Sequence, residues 1–587
     1  VTLLRQLTPL WPYLKRYRRS YGLGFAALVG NNAVWVTMPL VIKAAVDSLS
    51  QAPDRATILR FALLLVGVAL AKGFFQYWTR YILIGISRDI EYDLRNDLFR
   101  HLTTLPLRYY QRTRTGDIMA RATNDLNAVR MLLGPGIMYT ANTLLVLALA
   151  AAIMVRLDWR MSALALLPVP LVSFSVFYFG RQIHDRFEKI QALFSELSAK
   201  AQENISGMRI VKAYVQAPAE IEQFRRLNLD YLERNRSLIR IWGVFYPLLD
   251  ALIGLTFVLV LWAGGREVLL GRMTLGSYVA FNAYLVQLTW PMIALGWVVN
   301  LAQRGTASLG RLAEVFRQPA EIAEPDAPAN VDDLRGEIEF RNLTFSYHDD
   351  GARPALRGVN LRIRAGETVA IVGRTGSGKS TLVHLIPRLF EAPPGTVFVD
   401  GVDIRRLPLA LLRRGVGFVP QETFLFSATI SENILLGVQA APSGGQAAAR
   451  RAAHTAGLHA DIAEFPAQYQ TRVGERGVTL SGGQRQRTAI ARALARDPRI
   501  LILDDALSSV DTHTEELILT RLQEELKRRT AILISHRVST VQNADRIIVL
   551  DGGQIVEEGR HAELLARGGY YASLHQKQLL EEELETI

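Results

Sequence analysis

The sequence predicts a multi-domain chain: a six-helix all-α transmembrane region with long cytoplasmic helical extensions, followed by an α/β domain. Three observations predict it. Six mostly apolar stretches of bilayer length crowd the first half. Strand-like and helix-like patterns alternate in the second half. A glycine-rich run, Gly373-Arg-Thr-Gly-Ser-Gly-Lys379-Ser380, follows the apolar strand pattern Val369-Ala-Ile-Val372. At 587 residues the chain is too long for one core.

A helix needs roughly 20 mostly apolar residues to cross the hydrocarbon core. The six candidate spans are 21–46, 58–77, 136–155, 161–179, 244–264 and 278–300. Pro39, Pro168, Pro170, Pro247 and Pro291 fall inside them, which membrane helices tolerate where neighbours satisfy the freed backbone. The aromatic and basic stretch Trp11–Tyr21 precedes the first span, and no cleaved signal peptide is read there. Basic residues set the orientation. Lys15, Arg16, Arg18 and Arg19 precede span one, and the long segments after spans two and four are rich in arginine. The alternate connections are short. The positive-inside rule places the N-terminus, both long segments and the second half in the cytoplasm.

The formal charge of +12 fits nucleic acid or an anionic membrane surface. The clustering of basic residues beside the spans favours the membrane. The absence of cysteine excludes disulfides and thiolate metal sites.

Both long segments keep helical spacing past the bilayer edge, as in Ile90, Leu94, Leu98, Leu102 and in Phe187, Ile190, Phe194, Leu197. Their turning points are Tyr109–Asp117 and Asn204–Lys212. These are ordinary helical hairpins or elements that transmit motion. Polar residues within spans are costly and often functional. Asn31, Asn32, Lys72, Asn142, Asp250, Asn282 and Gln287 qualify, with aromatic faces from Tyr246, Trp262, Tyr284, Trp290 and Trp297. They serve as interhelical glue or as cavity lining. Lys72 and Asp250 are expected to face an aqueous cavity.

The expected domains are 1–317 for the membrane region, 318–336 for a proline-containing acidic linker, 337–572 for the α/β domain and 573–587 for a C-terminal helical tail. A frayed tail is the first expectation; pairing with a partner's C-terminus is the second.

The glycine-rich run has the chemistry of a phosphate loop. Glycines let backbone N–H groups wrap phosphates, Lys379 reaches the β/γ oxygens, and Ser380 binds Mg²⁺. ATP contacts are therefore assigned to Gly373, Arg374, Thr375, Gly376, Ser377, Gly378, Lys379, Ser380 and Thr381. Asp504 ends the apolar strand Ile500–Leu503 and is expected to hold Mg²⁺ with Ser380 and Gln421. His536, after the strand Ala531–Ile534, is expected at the γ-phosphate. Gln421 is expected to sense the metal. His536 and Gln421 are candidate catalytic residues, and a second acid, Asp505, directly follows Asp504. Tyr347 is placed for stacking on adenine, with a packed strand aromatic as the plainer alternative.

In this order and spacing these residues resemble ATP-binding cassette proteins, and the whole chain resembles an ABC exporter half-transporter. The shared features are the Walker A loop, Gln421, the signature Leu480-Ser-Gly-Gly-Gln484, Walker B ending at Asp504, the D-loop Ser508–Asp511 and the switch His536. Gly474–Gly477 is typical of exporters, and Tyr109–Asp117 and Asn204–Lys212 resemble the two coupling helices. The run from Phe281 to Pro291 is similar to heterodimeric bacterial multidrug exporters of the TmrAB type. The resemblance implies an ATP sandwich, in which Ser481, Gly482, Gly483 and Gln484 close over the partner's ATP. It implies alternating access, and contact of the second coupling helix with the partner.

One position departs from the family. The consensus after Asp504 is Glu; here it is Asp505. The side chain is one methylene shorter, which withdraws the carboxylate by about 1 Å, and misplacement of ~1 Å costs on the order of 100-fold in rate. The expectation is a hydrolysis-impaired site on this chain, an intact signature lent to a second half-transporter, and a heterodimer. The cargo class is hydrophobic or amphipathic drugs, lipids or peptides. The alternatives are a homodimer in which Asp505 suffices, including a homodimeric lipid flippase of the MsbA-like group. A DNA-associated ATPase and an ATP-gated channel are the rivals from other classes; the six spans oppose the first, and nucleic acid is not an expected partner.

Overall fold

In a bilayer every backbone polar group needs an internal partner, so long apolar runs become helices. A computed structural model describes residues 8–51, 54–347, 353–438, 445–474, 480–508 and 512–585. The chain divides into one unit of residues 1–98 and 119–315 and another of residues 99–118 and 316–587. The first contains six helices long and apolar enough to span a membrane: α1 Arg18–Gln51, α2 Arg55–Thr104, α3 Thr115–Leu157, α4 Trp159–Ser206, α5 Ala217–Leu269 and α6 Leu275–Phe316. The last turns of α2, from residue 99, belong to the second unit. The 50 residues of α2 rise about 75 Å, against ~30 Å of hydrocarbon. The surplus is the cytoplasmic extension that the helical spacing of Ile90, Leu94, Leu98 and Leu102 predicts.

The proline defect in α1 is repaired by a neighbour. Pro39 has no N–H, so the carbonyl of Trp35, one turn earlier, loses its helical donor. Gln287 Nε2 on α6 donates to Trp35 O at 3.1 Å, and the fully buried Tyr284 donates its hydroxyl to Val36 O at 2.6 Å. At the other end of the same pair, α6 has no acidic residue in its first turn. Asp47 of α1 supplies one, accepting from Gly276 N at 2.8 Å and from Thr274 Oγ1 at 3.0 Å. A Cβ on Gly276 would lie 2.3 Å from Lys43 O, so glycine permits this approach. In α3 the turns at Arg121–Asp125 and Leu132–Gly136 are π-helical. Tyr21 donates to the Leu133 carbonyl at 3.1 Å, and Arg311 pairs with the buried Asp125.

Among the described residues the second unit carries ten strands: β1 Ile338–Phe345, β2 Leu356–Ile363, β3 Thr368–Val372, β4 Val397–Val399, β5 Val402–Asp403, β6 Val416–Val419, β7 Ile500–Asp504, β8 Thr530–Ile534, β9 Arg546–Asp551 and β10 Gln554–Gly559. The main sheet has the order β10-β9-β3-β8-β7-β6 and is parallel except for β10. Alternation sorts its side chains into two cores. Ala370, Val372, Leu501, Leu503, Ala531 and Leu533 enter one; Val369, Ile371, Ile500, Ile502, Ile532 and Ile534 enter the other. Burial on both faces explains why these strands read as unbroken apolar runs. A smaller antiparallel sheet, β2-β1-β4-β5, stands beside it and is invisible in the strand–helix alternation.

The C-terminal segment departs from a frayed end. A helix runs Tyr570–Glu585, with Tyr571 fully buried and Glu557 accepting from the backbone N–H groups of Tyr570 and Tyr571.

The proline repair makes a stability prediction. Gln287→Leu leaves the Trp35 carbonyl without a donor and is expected to cost about 1–3 kcal/mol. In a Pro39→Ala background residue 39 regains its N–H, and the cost should largely vanish. Thermal unfolding of the four detergent-solubilised proteins measures this; equal losses in both backgrounds would refute the repair.

Candidate nucleotide site

The phosphate loop is built by a strand that ends and a helix that begins. β3 stops at Val372, and α7, Lys379–Leu385, starts after six loop residues. Gly373 packs so closely that a Cβ would meet Leu550 O at 2.0 Å. Gly378 sits at φ +100°, and a Cβ there would meet Ala355 O at 2.7 Å. Only glycine fits both demands. The loop lies against its own cation: Lys379 Nζ donates to Gly373 O at 2.8 Å and to Arg374 O at 2.9 Å. Burial holds the Lys379 ammonium below its usual pKa.

Parallel pairing brings the remaining residues to the same end of the sheet. β7 ends at Asp504, β8 runs into His536, and β6 leads to Gln421. One cleft of about 340 Å³ is lined by Tyr347, Thr375–Thr381, Gln421, Asp504, Asp505 and His536. That volume lies in the ~300–1,000 Å³ range of small-molecule sites. Ser380 Oγ donates to Asp504 Oδ1 at 3.1 Å. Gln421 Nε2 stands 3.4 Å from Asp505 Oδ2, a loose hydrogen bond. Asp504 is nearly fully buried, and burial pushes its carboxyl above the ordinary Asp value; the charge of Asp505 adds to this, and the Ser380 bond opposes it. Asp505 has φ +50°, a left-handed conformation that Asp tolerates better than most residues, and its N–H donates to Ile534 O at 2.9 Å.

Tyr347 packs edge-on against Phe345 and Phe390 and donates its hydroxyl to Thr381 Oγ1 at 2.9 Å. Its ring is half-buried and lines the cleft. Arg108, in the short helix Leu107–Arg112 within the first turning point, donates to the Tyr347 carbonyl. That turning point belongs to the same unit as the α/β sheets.

The signature residues lie elsewhere. Ser481 is the N-cap of α8, Gly482–Ala495: its hydroxyl accepts from Gln484 N at 3.2 Å, and Gln484 Oε1 accepts from Ser481 N at 3.0 Å. This reciprocal cap satisfies two donors and leaves the glycine amides at a helix N-terminus, a setting suited to an anion. None of Ser481, Gly482, Gly483 and Gln484 lines the cleft. Gln486, one turn on, donates to Ser508 Oγ at 3.0 Å, and Ser508 donates to the Asp505 carbonyl at 3.0 Å. Residues 475–477 of the exporter-type stretch and 509–511 of the D-loop lie outside the described residues.

Three neighbours escaped the sequence reading. His384 Nε2 lies 3.9 Å from Asp504 Oδ2, and burial depresses its pKa. Its spacing of five from Lys379 was the available signal. Arg108 and Gln486 carry no local signal, because their partners are far away in sequence. The two loop glycines differ in a testable way. Gly376 has φ +80°, and a Cβ there would have no atom within 4 Å, whereas a Cβ on Gly378 would meet backbone at 2.7 Å. Gly376→Ala should cost only the backbone term, about 1–2 kcal/mol. Gly378→Ala should abolish nucleotide binding, as read by equilibrium binding of a fluorescent ATP analogue.

Comparison with known proteins agrees with this geometry. Residues 21–292 match the ABC transporter transmembrane region, and residues 356–508 match the ABC transporter domain. The chain is 35% identical to the probable multidrug resistance ABC transporter ATP-binding/permease protein YheI of Bacillus subtilis, over 97% of each chain. It is 35% identical to the multidrug resistance-like ATP-binding protein MdlA of Escherichia coli, covering 98% of this chain and 97% of that one. It is 34% identical to the ATP-dependent lipid A-core flippase of Syntrophus aciditrophicus, covering 96% and 93%. A solved bacterial Atm1-family ABC exporter with ATP bound superposes with a TM-score of 0.78 at 29% identity, covering 96% of this chain and 99% of that one. The chain thus carries the ATP-binding domain of a transport-coupled ATPase in the bacterial inner membrane, and it belongs to the ABC exporter half-transporter family.

Proposed function

We propose that this chain is the weakly hydrolysing half of a heterodimeric exporter that moves hydrophobic or amphipathic molecules out of the cytoplasm or the inner leaflet. The observation that carries the proposal is Asp505 at the end of β7, beside the nucleotide cleft. A base acts only within hydrogen-bond reach of the proton it takes, about 2.6–3.2 Å. A carboxylate drawn back by about 1 Å loses that reach, so bound ATP at this chain's Walker A turns over slowly.

The signature of this chain then serves the other site. Ser481 and the glycine amides meet the γ-phosphate of ATP held by the partner's Walker A, a preorganised electrostatic contact of the kind phosphoryl transfer needs. Here Lys379 and the loop amides hold the β/γ-phosphates, His536 contacts the γ-phosphate, and Tyr347 presents its ring to adenine. Ser380 Oγ and Asp504 are hard oxygen donors 3.1 Å apart, and with the carbonyl oxygen of Gln421 they fit Mg²⁺ beside phosphate oxygens. The ion supplies charge neutralisation for the triphosphate. Closure of two such domains would turn the cavity from inward- to outward-facing, with the two turning points as couplers; hydrolysis at the partner's site and product release would reset it.

The cargo class follows from the spans. Trp262, Trp290, Trp297 and Tyr246 are exposed on this chain, and Lys72 Nζ rests 3.5 Å from the centroid of Trp35. Exposed aromatic side chains with few charges among the spans suit amphipathic molecules. Relatives named for multidrug resistance support this reading. The lipid A-core flippase relative supports a second one, a homodimeric lipid flippase in which Asp505 suffices.

Asp505→Glu separates the two. Photocross-linking of labelled 8-azido-ATP resolves turnover at each chain of the purified assembly. The substitution should raise cleavage on this chain about 10- to 100-fold and leave the partner's rate unchanged. Brisk cleavage by the native chain, purified alone and abolished by Asp505→Ala, would instead establish the homodimer.

A further inference from the structure

The switch histidine has little side-chain packing of its own. His536 is exposed, so the aim of its imidazole depends on its backbone. The next helix, α10, Val538–Val541, is a single turn whose N-cap, Arg537, offers no side-chain cap. Its first N–H therefore needs a partner from elsewhere.

That partner comes from the far end of the chain. The C-terminal helix, here α11, spans Tyr570–Glu585. Gln578 on it accepts from Val538 N through Oε1 at 2.7 Å and donates from Nε2 to the His536 carbonyl. One amide thus brackets the peptide groups on both sides of Arg537. The opposite flank is held separately. The buried Glu515, on the helix Thr512–Leu526, accepts from Arg537 and Thr540, and Ser535 Oγ accepts from Arg537 N at 3.0 Å.

The same helix reaches the phosphate loop. The Tyr570 ring lies 5.8 Å from the guanidinium carbon of Arg374. Tyr570, Leu574 and Gln578 recur every four residues and share one face, with Leu574 packed on the sheet's core. One rigid element therefore touches Walker A and the switch loop at once.

We propose that Gln578 is a positioning residue for His536, and that the C-terminal helix sets nucleotide turnover by fixing the backbone of the switch. A carboxamide is the fitting side chain, because it must accept at one end and donate at the other. Glu at this position keeps the acceptor for Val538 N–H but offers no donor to the His536 carbonyl. Ala removes both. This role of Gln578 holds for either identity of residue 505.

The test is a double-mutant cycle on the full-length chain in its assembly, reading single-turnover cleavage of 8-azido-ATP cross-linked to this chain. It is run in the native and the Asp505→Glu backgrounds. Gln578→Glu should slow cleavage about tenfold while the ATP concentration for half-maximal rate stays within about twofold, the pattern of an interaction that matters in the transition state. Added to His536→Ala, it should slow cleavage no further, because the residue it positions is gone. An equal fold loss in the presence and absence of His536, or an unchanged rate, would overturn the proposal. Gln578→Glu preserves one of the two bonds, so it carries the test where Gln578→Ala fails to fold. If Asp505→Glu brings no acceleration, the weak-site reading fails on its own, and the cycle is read in the native background.

Discussion

Parallel pairing of three neighbouring strands is the constraint on which the nucleotide site depends. β3 pairs with β8 and β8 with β7, each in register from end to end. Parallel strands must finish at the same edge, so the residues just beyond them meet there whatever their distance in sequence. Val372, Asp504 and Ile534 lie at the ends of the three strands, and Gly373, Asp505 and Ser535 come next in the chain. The backbone bond from Asp505 N to Ile534 O extends the ladder one step and ties the acid to the strand that carries the switch. No side chain in the cleft needs to find its neighbours; the sheet delivers them. The sheet in turn is held by two apolar cores that share its strands residue by residue.

Against that fixed frame, a change of one methylene has consequences. Asp505 directly follows β7, and its N–H is held by the Ile534 carbonyl of β8. Its left-handed φ of +50° is compatible with Asp, whose short polar side chain tolerates that region. Ser508 holds its carbonyl and is itself held by Gln486 from the signature helix. The acid is thus fixed from both its own strand and α8. On the proposed function, side-chain length at this anchored position is the quantity that decides how near the carboxylate comes to a water.

Much of this was legible in the sequence, and the reasons are local. Six spans could be read because hydrocarbon imposes both length and apolarity, and the six helices follow. The phosphate loop could be read because its glycines answer a backbone demand that no other residue meets. The parallel core could be read because double burial leaves unbroken apolar strands. The antiparallel sheet could not: β4 and β5 are three and two residues long, too short for a period to register. The docked C-terminal helix was missed for another reason. Its anchors are Glu557 on the neighbouring strand, Tyr571 in the core and Gln578 on the switch, and only the fold brings their partners near. A pattern of leucines at the end of a chain says nothing of a glutamine that brackets a loop forty residues back.

The membrane half obeys the same rule of backbone satisfaction with different means. A cytoplasmic segment can take a missing partner from water or from a distant side chain, as the first N–H of α10 takes its acceptor from Gln578. A span cannot turn to water. Pro39 opens α1, and α6 closes it with Gln287 and Tyr284; Asp47 then caps α6 from α1. Each helix of the pair supplies what the other lacks, so neither is complete alone. The bond pattern resists sliding, since a shift of one turn would strand the Trp35 carbonyl and uncap Gly276 together. Removing a single backbone N–H thereby fixes the register of two helices, and a residue usually regarded as a helix breaker becomes a source of interhelical specificity.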